Sequence, residues 1–431
     1  MNLKKKALKL LDQKFLFRAN QKIGELGVVG EERNRLAVFV GCVSRMTEEP
    51  VSLMGKGSTG SGKSKQFKTG LQLFPPSCVI ERAGLSGKAL AYGKGSLGGK
   101  ILFINEYRCG QDAQQLLRLL QSDREVRHEA TTIKGSHRTT DTAVRSGTPV
   151  VLTTTTDDVV YPDDESRFQS LFANEGPDQS RKILIAKASA PSIITHDDLP
   201  VWQKATSLLK PRPGDFRHPP EWLRFVAGQI PCGDVRVRRD WSRFLTFCQA
   251  VALCRRPTMR SNQSSDITFP DYCVAYKIFE PIFASVVHGL PSREVELSRA
   301  VATLNRQRGR PVSLTEVATE LGWKRSLAYK HAARAVRHRL VEYELGTRES
   351  NIKRLIARSD TDEGFLPRPR LVFDHNPEIG LEARYVDPFT GKTLVMRRRN
   401  SRSPHEGKHE RRGTAATVGQ KLSRDRKSHA I

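Results

Sequence analysis

The stretch Val51–Ser64, VSLMGKGSTGSGKS, restricts what this chain can fold into more than any other. Val51, Leu53 and Met54 form a short apolar run with the length of a buried strand. The run then breaks into Gly57-Ser58-Thr59-Gly60-Ser61-Gly62-Lys63-Ser64, which fills every fixed position of G-x-x-x-x-G-K-[ST]. A Cβ would keep backbone N–H groups from curling around phosphate oxygens, so glycine suits the points of closest approach. In this pattern Lys63 reaches the β- and γ-phosphates and the Ser64 hydroxyl takes Mg²⁺. Lys65–Leu73 can form a helix whose N-terminus faces the same anion. A Gly/Ser-rich surface loop has a similar composition, but the strand before it and the helix after it favour a nucleotide-binding loop.

More strands follow. SCVIERAG reads as a short one, and ILFINEYRCG (Ile101–Gly110) as a buried one that ends in Asn105-Glu106. Beside a phosphate loop, a strand ending in acids is the Walker B arrangement, in which the first carboxylate orders Mg²⁺ and the Glu polarises water. Here the first acid is an amide, Asn105, which can accept a hydrogen bond from a metal-bound water but adds no charge. Its metal contact is therefore indirect, and Glu106 is the candidate base. Gln111–Ser122 is an amphipathic helix. The next segment reads as a β-hairpin turning at Lys134-Gly135-Ser136, with Arg127, Lys134, His137 and Arg138 around its tip. PVVLTTTT (Pro149–Thr156) is a buried strand ending in hydroxyls, one of which could hold the attacking water. Ser166-Arg167-Phe168 then lies in an acidic loop before another apolar strand.

The flanks are helical. Residues 1–20 are basic and helix-forming, Gly24–Gly30 makes a loop, and Glu31–Thr47 reads as a second helix. Trp202–Asp234 is Pro-rich and reads as an irregular hinge. VRVRRDWSRFLTFCQAVALCRR and FPDYCVAYKIFEPIFASVV are helices with broad apolar faces. From Pro291 the character changes: a helix, then Ser313 as N-cap with Glu316 at the capping-box position, a turn at Gly322, a basic helix and VEYELGTRES as a two-stranded wing. That order is a winged helix-turn-helix signature, and it puts Lys324, Arg325, Tyr329, Lys330 and Arg334 near phosphates or a groove. The same fold also serves subunit packing. Past about Leu366 the chain is rich in Pro, Arg, Ser and Gly without apolar periodicity, and disorder is expected.

The formal net charge is +26. From Arg397 to Ile431 there are eleven Lys/Arg and three Asp/Glu, a net +8, so +18 remains on the rest. A basic tail alone does not account for the excess, and the favoured partner is a nucleic acid. Seven cysteines show no C-x-x-C or Cys/His ligand spacing, which points to reduced core thiols in a cytoplasmic protein. No apolar run has the length of a membrane span, and the basic, amphipathic N-terminus lacks the apolar stretch of a secretory signal.

Taken in order, the phosphate loop, Walker B strand, helix, basic hairpin, polar-tipped strand and Ser-Arg-Phe resemble the AAA+ ATPases. Among these they look like the minichromosome maintenance (MCM) replicative helicases and the MCM-like ATPases of phages and mobile elements, over about Gly24–Ala252. The resemblance implies an α/β fold: an AAA+ P-loop αβα core with a helical lid and a C-terminal winged helix-turn-helix domain. The corresponding divisions are 1–48 (basic helical segment), 49–195 (core), 196–290 (lid), 291–360 (winged helix) and 361–431 (basic tail). It implies that Lys134 meets DNA in a central channel, and that Arg167 is a finger reaching the neighbouring subunit's nucleotide. A gap-free match puts sensor 1, an Asn in the family, on Thr156. The sensor 2 arginine falls on Arg239, with Arg236 and Arg238 as alternatives. The function implied is a Mg²⁺-dependent, ATP-hydrolysing DNA helicase acting as a homo-hexamer on single-stranded or forked DNA. Such a motor would replicate a phage or mobile element and take any primase or initiator from a separate protein. Two alternatives remain open: an AAA+ remodelling or initiator ATPase without processive unwinding, and a nucleotide-gated DNA-binding regulator.

Overall fold

The protein, a computed structural model, is described over residues 2–107, 111–134, 137–156, 161–189, 197–232, 235–255, 266–287, 292–337, 340–344, 354–357 and 365–398. It opens with helices α1 (Leu3–Leu10), α2 (Phe15–Glu25) and α3 (Glu32–Val43). Every residue of α3 from Asn34 to Val43 is buried, and from Leu36 onward the run is apolar with no polar stripe. Phe15 stacks on Trp202 and meets Phe39 edge-on, both at 5.7 Å, within the same core as the sheet.

The P-loop region follows as β1 (Leu53–Lys56), α4 (Lys63–Leu71), β2 (Val79–Arg82), α5 (Gly87–Ala91), β3 (Ile101–Ile104), α6 (Gln111–Asp123), β4 (Glu125–Lys134), β5 (His137–Ser146), β6 (Val150–Thr155), α7 (Pro162–Glu165), β7 (Gln169–Phe172) and α8 (Pro177–Ser189). Strands β2-β3-β6-β1-β7 form one parallel sheet. Strands β1, β3 and β6 are buried along their whole length, which is why they read as continuous apolar runs rather than alternating ones. Alternation reappears in what they bury against. Leu53, Ile101, Phe103, Val150 and Leu152 enter the core beneath α3, while Met54, Leu102, Ile104 and Val151 enter a second core on the opposite face. The hairpin β4–β5 stands apart as an antiparallel pair, with Lys134 opposite His137; Gly135 and Ser136 at its tip lie outside the described residues.

Between Trp202 and Asp234, where an irregular hinge was expected, two short helices stand on either side of an irregular stretch at 208–221. Helix α9 (Leu199–Ser207) buries Trp202 and α10 (Trp222–Gly228) buries Trp222. The prolines lie in the connections between them, and the two indoles supply the apolar area that fixes each short helix. Helices α11 (Val237–Arg255) and α12 (Phe269–Val287) then pack face to face, with Phe247 stacked on Phe279 at 3.5 Å. Helices α13 (Ser292–Arg308), α14 (Leu314–Glu320) and α15 (Arg325–Arg337) carry a small antiparallel sheet of β8 (Val312–Ser313), β9 (Val341–Tyr343) and β10 (Arg354–Ala357), in the order β8-β10-β9. This group has its own core of Leu297, Val301, Leu304, Val317, Ala332 and Leu355, among others. The Ser313–Glu316 capping box is formed in both directions.

Part of the stretch expected to be disordered is regular structure instead. Residues 365–398 form α16 (Pro369–His375) and the hairpin β11 (Glu382–Val386)–β12 (Thr393–Arg397). Phe365 stacks on Phe283 at 5.3 Å, Phe373 on Phe269 at 5.7 Å, and the Tyr272 hydroxyl donates to the Pro367 carbonyl at 2.5 Å. Burial of two rings and a short alternating hairpin outweighs a composition that resembles a linker. Residues 399–431 lie outside the described ones.

Candidate functional site

Parallel strands end on one side of the sheet, and there the phosphate loop leaves β1. Gly60 and Gly62 adopt φ of +82° and +93°, with open space where a Cβ would stand. Helix α4 starts at Lys63 without a side-chain cap, so its first N–H groups are available to an anion. Lys63 folds back over the loop, its Nζ donating to the carbonyls of Gly57 and Ser58, both at 2.7 Å. Burial holds the Lys63 ammonium below its usual pKa, and the Glu175 carboxylate opposes that shift. Glu175 itself accepts a hydrogen bond from the Ser58 N–H at 2.5 Å, so a carboxylate occupies one of the loop's amides.

Two other strand ends converge here. The Ser64 hydroxyl lies 3.4 Å from that of Thr154 on β6, and Thr154 in turn donates to the Asn105 carbonyl at 2.5 Å. Thr154, rather than Thr156, is the hydroxyl delivered to the loop. Thr156, on which the gap-free match falls, stands exposed beyond the end of β6. Four consecutive threonines give a sequence no means of choosing among them. The side-chain oxygen of Asn105 is buried without a hydrogen-bond partner. Glu106 is exposed next to it, and the Tyr107 N–H donates to the Thr154 carbonyl at 2.8 Å, closing the edge between β3 and β6.

Arg167 lies elsewhere. It stands two residues before Gln169, which pairs with Leu53 at the start of β1, whereas the phosphate loop follows Lys56 at that strand's end. Arg167 is therefore at the opposite end of the sheet from its own loop. It lines a cavity of about 390 Å³ with Arg124, Arg238, Arg239 and Arg243, beside Glu48 and Glu49. Its guanidinium donates to the Ser122 hydroxyl at 2.6 Å, and burial, followed by Arg239 and Arg118, lowers its pKa. Arg239 donates to the Ser166 hydroxyl at 2.6 Å and so joins the expected finger and sensor in one pocket. Arg236 instead faces Asp240 and the Glu165 carbonyl, at 3.4 Å each. Arg124 and Arg243 were not read from the sequence. Arg243 could have been noticed from its spacing, three residues after Asp240.

Of the expected DNA contacts, Arg325, Tyr329, Lys330 and Arg334 are exposed on α15, with Lys324 just before it; Ala328, Ala332 and Ala335 face inward. The Arg325 guanidinium lies over the Tyr329 ring at 5.7 Å. Lys134, His137 and Arg138 lie on the last rungs of the β4–β5 hairpin, but their side chains fall outside the described residues. Cys42, Cys248, Cys254 and Cys273 are free and buried, and burial pushes their thiols far above the usual range. Among the described residues no group of His, Cys, Asp and Glu could hold a metal by itself, and no helix is long and apolar enough to cross a membrane.

A phosphate loop at the end of a central strand, in a parallel sheet flanked by helices, defines a P-loop nucleotide-binding protein, and its architecture fits an AAA+ core. A family model described as the MTBMA_p00010 P-loop domain matches residues 5–210, from within α1 to just past α9. No curated protein matches the sequence. Among solved structures, the Aeropyrum pernix Orc1 protein in complex with DNA is similar at 15% identity and a TM-score of 0.24, covering 81% of this chain and 93% of that one. The SCCmec type IV Cch active helicase is similar at 8% identity and 0.32, covering 77% and 71%. The apo NrS-1 C-terminal region is similar at 11% and 0.24, covering 78% and 75%. At such scores these likenesses carry no argument about activity.

Proposed function

We propose that this chain is an ATP-hydrolysing AAA+ motor that assembles as a ring, most simply a homo-hexamer, and translocates on DNA during replication of a phage or mobile element. The observation that carries the reading is the placement of the phosphate loop and the arginine pocket at opposite ends of one sheet. A pocket of arginines that cannot reach its own nucleotide supports action on a neighbour's, where a guanidinium stabilises charge on the transferring phosphoryl group. In this reading Lys63 and the loop amides bind the phosphates, Glu106 activates water, Thr154 orients it, and Arg167 and Arg239 come from the next protomer.

The residues present fit Mg²⁺ held largely by phosphates and water. Ser64 would provide a direct hydroxyl and the unpartnered Asn105 oxygen would accept from a metal-bound water. Bound there, the ion would neutralise phosphate charge. Helices α9–α12 would form the lid and residues 292–357 a winged helix, its exposed α15 side chains on a DNA backbone. Lys134, His137 and Arg138 would follow the strand through the channel, with affinity set by charge. A primase or initiator would be a separate protein.

Asn105 favours a second reading. Without the first Walker B carboxylate, slow turnover suits a remodelling or initiator ATPase, or a regulator that nucleotide only gates. The test is steady-state ATP hydrolysis with and without single-stranded DNA, for the unmodified protein, Lys63→Ala, Glu106→Gln and Arg167→Ala, and for an equimolar mixture of Lys63→Ala with Arg167→Ala. DNA-stimulated turnover lost in each variant and partly regained in the mixture is expected, since the mixture restores intact loops facing intact fingers. ATP binding without turnover in the unmodified protein would overturn the motor and leave the regulator.

A further inference from the structure

The turn that carries Arg167 is held by more than its place in the chain. On one side Glu165 forms an ion pair with Lys56, the last residue of β1 before the phosphate loop. The Lys56 side chain is buried, and its ammonium also lies 5.9 Å from the Phe172 ring centre. On a second side Phe168, also buried, meets Tyr107 edge-on at 5.5 Å, one residue past Glu106. On the third side α11 grips the turn: Arg243 donates to the Ser166 carbonyl, Arg239 to the Ser166 hydroxyl, and Arg236 to the Glu165 carbonyl. Asp240, fully buried, faces both Arg236 and Arg243, at 3.4 Å and 3.0 Å. A buried carboxylate between two guanidiniums fixes their directions, because leaving either group uncompensated in that setting is costly.

We propose that Glu165 and Arg243 are positioning residues for Arg167, tying it to the phosphate-loop strand of its own protomer while it serves the nucleotide of the next. The proposal rests on the reading of Arg167 as a finger and extends it to the regulation of that site. Nucleotide binding that shifts the end of β1 pulls on Lys56, and Lys56 pulls on Glu165, which begins the Ser166-Arg167 turn. Helix α11 provides the fixed side against which the turn moves. In the ring, the state of one site is thereby reported to the next.

The test is a double-mutant cycle in the full-length protein, on DNA-stimulated ATP hydrolysis with nucleotide binding measured alongside. Glu165→Gln is expected to lower kcat about 10- to 100-fold, the scale of an ångström-sized misplacement, with KM within about twofold. Arg167→Ala is expected to cost about 10³-fold or more. The double variant should be no worse than Arg167→Ala, because a finger that is absent cannot be misplaced. Lys56→Met should reproduce Glu165→Gln. Unaltered ATP binding in Glu165→Gln would show that its fold is intact. Additive losses in the double variant, or a loss in Glu165→Gln that appears in KM alone, would overturn the positioning role. Unchanged turnover in Arg167→Ala would instead overturn the finger reading, and that variant reports it without reference to Glu165.

Discussion

Glu175 offers the sharpest test of the nucleotide site. The Ser58 amide has one hydrogen, and in this structure Glu175 accepts it. A phosphate oxygen that takes the same donor must displace the carboxylate and then tolerate it nearby. The surrounding loop does not retreat freely: the Asn174 N–H donates to Glu31 at 2.6 Å and Asn34 donates to the Phe172 carbonyl at 2.8 Å. Glu31 is itself held at φ +58°, a left-handed conformation that non-glycine residues rarely adopt. The lost hydrogen bond is exposed, so its net worth is about 0.7 kcal/mol. Repulsion between unit charges about 6 Å apart in water adds about 0.7 kcal/mol. Together these come to about 1.4 kcal/mol, so Glu175→Ala, which removes both the acceptor and the charge, should bind ATP about tenfold more tightly. Titration of a fluorescent ATP analogue at low and high salt measures this, and the difference should shrink as salt screens the repulsive half. Equal affinities at both salt concentrations would refute the competition. Weaker binding in the variant would mean that Glu175 assists the nucleotide.

Thr154→Val removes the hydroxyl that reaches Ser64 and should lower ATP turnover about tenfold or more, with Thr156→Val costing less; side-by-side steady-state rates decide it. Phe373→Ala should destabilise the fold by about 3–5 kcal/mol, read as a lower unfolding midpoint, because its ring is fully buried against Phe269. The Glu316 carboxyl is pushed down to about 2, first by the Ser313 N–H and then by Arg310. Its folded pKa lies below the unfolded value, so the stability it adds is present above about pH 4.5 and is lost as pH falls towards 2. Thermal unfolding between pH 5 and 2.5 should therefore show a shallower decline for Glu316→Gln than for the unmodified chain.

What could be read from the sequence was local. The phosphate loop is legible because its chemistry requires particular residues at adjacent positions, and the strands around it because complete burial leaves only apolar choices. The Ser313–Glu316 capping box is legible for the same reason: donor and acceptor stand three residues apart. Residues 365–398 could not be read in this way because their stability comes from rings far away in the chain, such as Phe365 on Phe283. Which of four threonines faces Ser64 depends on strand register, and a shift of one residue turns every side chain to the other face.

By itself, then, the sequence determined that residues 57–64 carry the pattern of a phosphate loop, that the chain has a large excess of positive charge, and that a parallel sheet surrounds the loop. Tertiary structure alone decided that Arg167 stands at the far end of that sheet, that Thr154 and Glu175 meet the loop, and that Lys56, Glu165 and Arg243 are joined. Loop chemistry depends on neighbours in the chain, whereas these contacts join residues up to about a hundred and twenty positions apart, which only packing and strand register bring within reach.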